Sequence, residues 1–351
     1  LESETVTLDC LERSLSTAFE STCRSLLEEL GLLQIGESFT AQSLTGGVAS
    51  DIALIRIGDR KLCVKFALPK LKVAADWFAP VHRNKAEYAW LELVAKVAPK
   101  SAVKLLGQST ALHGFAMEFL DGQQAYLWKD ALLAEANDNG EAALLGKLVG
   151  QVHAASTKSE FDTQAFQNAD DFWALRIEPY LLYTASVHRE VAVELEAMAE
   201  QLHQSNRVLV HGDVSPKNIF IRSAGPVVLD AECATLGDAS FDLSFCMNHL
   251  ILKAMHLPAS QEQYLQNALQ LWVAYKPFVS WESVEALESR ICQLVPALML
   301  ARVDGKSPVE YLTESERLFV RATALALLKK PEQTLHSLLM RIKTSSQGLS
   351  S

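Results

Sequence analysis

Hydrophobic positions change period twice along this chain. Between Leu11 and Leu33 they fall at Leu15, Phe19, Leu26, Leu27 and Leu30, the spacing of one helical face, and Gly31 marks where that helix stops. The pattern then alternates. Phe39 to Leu44, Asp51 to Ile57 and Lys61 to Leu68 read as strands, the last two joined by the turn residues Gly58, Asp59 and Arg60, which predicts an antiparallel meander. Arg83 to Val97 returns to helical spacing, and Gly114 to Leu120 gives one more strand. Beyond Asp121 and Gly122 helical patterns dominate, over Glu141 to Ala155, Val187 to His203, Gln261 to Tyr275, Glu282 to Ala301 and Ser315 to Leu328. Three short β-like runs interrupt them, Arg207 to Val210, Ile219 to Arg222 and Pro226 to Leu229. The expected class is α+β in two lobes: a small antiparallel-sheet lobe over residues 1–120, of which 1–35 form a helical extension, and a larger, mainly α-helical lobe over 121–351.

Composition narrows the partners. With 351 residues, 49% hydrophobic and 21% charged, the chain has material for a sizeable core and too little charge for disorder. Lys and Arg total 32 against 42 Asp and Glu, a formal charge of -10, the wrong sign for a binder of nucleic-acid backbone. Apolar runs such as Leu294 to Ala301 break off well short of the roughly 18 residues that span a bilayer, so no membrane partner is expected. The opening LESETVTLDC has neither the basic start nor the apolar stretch of a secretory leader. Cys10, Cys23, Cys63, Cys233, Cys246 and Cys292 form no C-x-x-C pair, which fits reduced, buried thiols in a cytoplasmic setting rather than a zinc site or a disulfide framework.

The richest chemistry lies in VLVHGDVSPKNIFIRSAGPVVLD. Two strand-like runs surround Ser223, Ala224 and Gly225, so a hairpin centred near Ala224 pairs residues whose numbers sum to 448. Asn218 then faces Asp230 at the open end, and Asp213 returns through the loop containing Pro216. Three hard oxygen donors at one loop-rich edge suit a divalent cation that keeps water and shares phosphates, as Mg²⁺ does, with one Asp left to act as a base. Turn chemistry explains each Asp singly. It does not explain the order H-G-D-x-x-x-x-N, hairpin, then Asp after an apolar strand, which has the spacing of the kinase catalytic loop and its metal-binding Asp.

With GDASFDLS (Gly237 to Ser244) following at once, the segment resembles the aminoglycoside phosphotransferase and choline kinase-like family, over roughly residues 40 to 255. The resemblance implies a protein-kinase-like fold and an ATP-dependent phosphotransferase that moves the γ-phosphate to a hydroxyl of a small molecule: an amino alcohol, an aminoglycoside or a sugar-like compound. It implies Asp213 as the base, Asn218 and Asp230 as holders of Mg²⁺, His211 and Asp242 as braces of the loop, and Glu232 and Asp238 facing the acceptor. Only twelve steps separate Asp230 from Asp242, with no A-P-E sequence, too little for the segment on which protein kinases hold a peptide.

In the small lobe, Ser43 to Asp51 carries Gly46, Gly47 and Ser50 where a loop can lay N–H groups over phosphates. Alternation puts Leu62, Val64, Phe66 and Leu68 on one face of their strand and Lys65 on the other, toward the expected cleft. The resemblance makes Lys65 the nucleotide-phosphate lysine, oriented by Glu87 with Glu92 as an alternative, and makes Glu118 and Leu120 the backbone positions that hold adenine. Lys217 is a candidate for a phosphate contact. His153 and the stretch DFWALRIEPYLL read as core. Two other readings stay open: a non-catalytic nucleotide or metabolite binder, and a metal-dependent phosphoesterase using His211, Asp213, Asp230 and His249.

Overall fold

Period-two alternation becomes a five-stranded antiparallel sheet in the computed structural model, which describes residues 16–44, 50–69, 81, 83–122 and 124–347. Gly46 and Gly47 lie outside the described residues, as do the first fifteen. Helix α1 (Thr17–Glu29) starts at Ser16, whose Oγ accepts the Phe19 N–H at 3.2 Å. Strands β1 (Thr40–Ser43), β2 (Ser50–Ile57), β3 (Arg60–Ala67), β4 (Leu105–Ser109) and β5 (Gly114–Glu118) assemble in the order β1-β2-β3-β5-β4. Cys23, Leu26 and Leu27 of α1 pack with Ala53, Ile55, Leu62, Val64 and Phe66 into one core cluster. Each such side chain contributes about 1.5–3 kcal/mol on burial. Alternation went unseen in β4, where the ladder slips between Leu105 and Gly107.

Helix α2 (Arg83–Val97) follows, and then β6 (Ala125–Leu127), α3 (Trp128–Leu133) and α4 (Glu141–Ser156). A one-turn α5 (Ala169–Phe172) runs into a π-helix, Trp173–Leu182, that contains Pro179 and leads into α6 (Tyr183–Val187). Then come α7 (Ala192–Gln204), β7 (Val208–Val210), β8 (Ile219–Arg222), β9 (Gly225–Val228) and β10 (Thr235–Gly237). Five helices close the chain: α8 (Ser240–His256), α9 (Gln261–Tyr275), α10 (Val284–Asp304), α11 (Glu314–Lys329) and α12 (Leu335–Gln347). The helical period expected from Val187 to His203 is broken at His188, after which a 3₁₀ turn, Arg189–Val191, precedes α7.

The chain divides into two compact units, Leu1–Asn84 with Lys104–Phe119, and Lys85–Val103 with Leu120–Ser351. From Lys85 onward α2 therefore belongs with the helices. In the second unit α4 and α9 approach closely because α4 carries Gly146 at the contact, where a Cβ would lie 2.3 Å from the Leu271 carbonyl oxygen. At the centre runs α8, buried without a break from Ser240 to Met255. Among the described residues no helix is long and apolar enough to cross a membrane. Cys23, Cys63, Cys233, Cys246 and Cys292 are buried.

Candidate active site

A buried carboxylate organises the loop between β7 and β8. Asp242, in the first turn of α8, accepts the His211 N–H on Oδ2 at 2.7 Å and the Gly212 N–H on Oδ1 at 2.9 Å. Behind it, His153 reaches Oδ2 at 3.2 Å and the Tyr275 hydroxyl at 2.8 Å, so His153 is a core histidine with both nitrogens engaged. His211 accepts the Asp213 N–H on Nδ1 at 3.1 Å and packs edge-on against Trp90, with ring centroids 4.7 Å apart. Burial pushes its imidazole below the ordinary value, and a ring that accepts through Nδ1 is a neutral one. Between these two residues the backbone turns through φ +80° at Gly212, where a Cβ would also lie 2.9 Å from Cys233 Cβ. A side chain here is excluded twice, by conformation and by space.

Asp213 is thereby held with its carboxylate inside a cage of donors. Ser215 Oγ donates to Oδ1 at 2.9 Å, Arg176 Nη2 donates to Oδ2 at 2.9 Å, and Lys217 Nζ stands 3.3 Å from Oδ2. Burial opposes the charge, yet Lys217, Arg176 and the Ser215 hydroxyl together hold this carboxyl far below the usual range. The Lys217 side chain is half exposed, and its ammonium is raised first by Asp213 and further by Asp230.

The hairpin that follows pairs Ile219 with Val228 and Arg222 with Gly225, numbers that sum to 447. The expected sum of 448 was off by one because the turn has two residues, Ser223 and Ala224, and no central one. Asn218 therefore faces Leu229, whose N–H donates to the Asn218 carbonyl at 2.9 Å, and Asp230 lies one step beyond. Asp230 turns through φ +71°, a left-handed conformation that Asp tolerates better than most residues. Its N–H donates to Glu87 Oε1 at 3.2 Å. Asn218 Nδ2 donates to the Asp213 carbonyl at 3.1 Å, which fixes the amide.

The remaining expected residues are placed as follows. Lys65 is buried at 4% exposure on the face of β3 opposite Leu62, Val64 and Phe66, with Ile52 and Phe115 beside it in the ladder. Ser50 opens β2 and is buried. Glu118 ends β5, its carboxylate accepting the Lys104 N–H at 3.0 Å, and Leu120 follows it two residues on. Glu232 is buried in the turn after Asp230. Asp238 has both oxygens engaged, with Arg290 at 3.0 Å from Oδ2 and the Ser240 N–H at 2.9 Å from Oδ1.

Sequence reasoning missed Arg176. The stretch DFWALRIEPYLL was expected to be core, and Phe172, Leu175, Ile177 and Leu181 are buried there. Arg176 instead reaches the loop two ways, through Nε to the Gly212 carbonyl at 2.5 Å and through Nη2 to Asp213, while Nη1 bonds its neighbour Leu175 at 2.8 Å. The available signal was a guanidinium in an apolar run, which is stable only beside a carboxylate. Among the described residues no three His, Cys, Asp or Glu side chains gather as a metal cluster.

This loop, its hairpin and the antiparallel sheet belong to a known class. The chain is a member of the phosphotransferase enzyme family, whose model matches residues 40–278. Its relatives include the methylthioribose kinase of Klebsiella pneumoniae (strain 342), 24% identical over 256 residues, an alignment that covers 63% of this chain and 63% of that protein. The methylthioribose kinase of Bacillus pumilus (strain SAFR-032) is 25% identical over 303 residues, 76% of this chain and 75% of the relative. Among solved structures, an amicoumacin kinase in complex with AMP-PNP, Ca²⁺ and Ami aligns with a TM-score of 0.56 at 13% identity, covering 92% of this chain and 100% of that one. A Plasmodium vivax ethanolamine kinase gives 0.52 at 13% identity, over 95% and 89%. The fold is kinase-like.

Proposed function

We propose that the protein is a small-molecule kinase that transfers the γ-phosphate of ATP to a hydroxyl of its acceptor. The observation that carries this reading is Asp213, a buried carboxylate kept ionised by Arg176, Lys217 and Ser215 in a loop pinned by Asp242. In the reaction Asp213 accepts a hydrogen bond from the acceptor hydroxyl, orients its oxygen in line with the γ-phosphorus, and takes the proton as the new O–P bond forms and ADP departs. A carboxyl with so low a pKa is a weak base, so orientation is the larger part of its work.

The donor set fits Mg²⁺. With Nδ2 fixed on the Asp213 carbonyl, the Asn218 amide has Oδ1 left to present, and with Asp230 that makes two hard oxygens, leaving other positions for phosphate and water. Once bound, the ion supplies neutralisation of phosphate charge. Lys65 pairs the nucleotide phosphates, Gly46, Gly47 and Ser50 furnish loop contacts, and backbone at Glu118 and Leu120 receives adenine. Glu87 positions Asp230 through its backbone N–H. The named activities of the relatives, which act on methylthioribose, agree with a hydroxylated acceptor.

The test is an ADP-release assay with ATP and Mg²⁺ across hydroxylated metabolites, run beside thermal melts. ATP with Mg²⁺ raises the melting temperature of both the wild type and Asp213→Asn, whereas only the wild type releases acceptor-dependent ADP. Absence of any nucleotide-dependent melt shift, or full turnover in Asp213→Asn, overturns the reading.

A further inference from the structure

A helix with no solvent face has no place for ionisable side chains unless something meets them. Besides Asp242, which the loop and His153 meet, α8 carries two basic side chains, one helical turn apart on the same face: His249 at 7% exposure and Lys253 at 1%. Neither side chain hydrogen-bonds or ion-pairs with any described residue. Lys253 Nζ instead lies 5.0 Å from the centroid of the Tyr311 ring, and the Tyr311 hydroxyl is itself buried without a partner. From α10, Arg302 brings a guanidinium that bonds Ser307 through Nη1 and lies 5.9 Å from the Tyr180 ring, while its Nε is buried with no acceptor. The neighbouring carboxylate, Glu310, is taken by Lys129 at 2.5 Å.

This wall adjoins the catalytic loop within the same unit. Burial first, then Arg302 and Lys253, push the His249 imidazole well below its ordinary value, and Asp213 and Lys217 are close enough to act on it too. Rings connect the two places: His249 meets Phe245 at 5.5 Å, and Phe245 meets Tyr180 at 5.5 Å, on the π-helix that also bears Arg176. Burial, with Lys129 and Arg302 nearby, brings the Lys253 ammonium down to about 7. A cation so placed is costly until an anion arrives.

We propose that His249, Lys253, Arg302 and Tyr311 form the acceptor pocket, and that the acceptor carries an oxyanion, a carboxylate or a phosphate monoester, beside the hydroxyl that Asp213 serves. The proposal rests on the kinase reading above and fixes the charge of its substrate. The four side chains present donors and no carboxylate, the chemistry that recognises oxyanions and repels ammonium groups. The acidic surplus of the whole chain is no guide here.

Two measurements test it. Calorimetric titration of the wild type at pH 8, without nucleotide, uses glycerate, glycerol 3-phosphate and glycerol at about 10 mM in two buffers of different ionisation enthalpy. At least one anion binds with proton uptake, because it returns Lys253 to its charged form; glycerol does not. Which anion does so separates the carboxylate from the phosphate source. In ADP release, that anion exceeds glycerol, ethanolamine and choline by roughly tenfold or more in kcat/KM. Lys253→Met raises its KM roughly tenfold or more with kcat nearly held, and Tyr311→Phe moves KM in the same direction by less. Binding of neither anion, a preference for the amines, or an unchanged KM in both variants overturns the pocket. Failure of the kinase reading is seen separately, as anion binding with proton uptake but no nucleotide-dependent melt shift.

Discussion

Two sets of buried charge in the helical unit are built on opposite terms. The Asp213 carboxylate has its counterparts within hydrogen-bonding reach, with Arg176 and Lys217 on one oxygen and Ser215 on the other. Around Lys253 the neighbouring carboxylate, Glu310, is paired with Lys129 instead, and polar atoms of Arg302 and Tyr311 are buried unbonded. A satisfied network rigidifies what it surrounds, while an unsatisfied one stores a cost that a ligand relieves. The first arrangement is suited to holding a reactive group still. The second is suited to receiving something.

The contrast can be attacked by mutation. Asp213→Asn removes the centre of the satisfied set and lowers kcat by about 10³-fold, read by ADP release, because both proton acceptance and orientation are lost. Arg176→Gln leaves the carboxylate in place but unclamped, and kcat falls about 10–100-fold. Loss of a cation raises the Asp213 pKa, so the acid limb of the kcat/KM profile moves to higher pH, which a purely structural arginine would not cause. Unchanged acid limbs in wild type and variant would break the assignment.

Lys253→Met tests the unsatisfied set from the stability side. The folded-state pKa is lowered to about 7, below the unfolded value, so between about pH 7 and 10 the unfolded chain binds more protons and wild-type stability rises with pH. The variant lacks this rise and is more stable at pH 7 by about 1–3 kcal/mol, as followed by urea melts at several pH values. Lys217→Ala gives the smallest effect. Its side chain is half exposed, and turnover drops by roughly a few fold with stability within about 0.5 kcal/mol.

How much of this was readable in advance follows from where each feature gets its position. Gln261–Tyr275 and Ile219–Arg222 were expected with the bounds observed, since repeated local spacing sets them. Lys65 stands on its expected face because a strand allows only two. The hairpin register was off by one because it depends on a two-residue turn that several local conformations satisfy. Asp230 takes a left-handed backbone conformation and its N–H bonds Glu87 on α2, neither of which spacing reveals. Arg176 escaped notice for a similar reason: its aim depends on a π-helical winding and on a loop thirty-six residues away. His249 was weighed only as a metal ligand of the phosphoesterase alternative and Lys253 was not singled out, because what they face is decided by α10 and the segment after it.

The wide winding from Trp173 to Leu182 has a consequence for how the chain can change length. Arg176 must meet the Gly212 carbonyl while Tyr180, further along the same segment, meets Arg302. Deleting one residue between them would rotate everything downstream by about a quarter turn and detach one of the two from its neighbour. Replacing a residue keeps the phase. Diverging copies of this chain can therefore rewrite many letters of the segment, but its count is not free to drift.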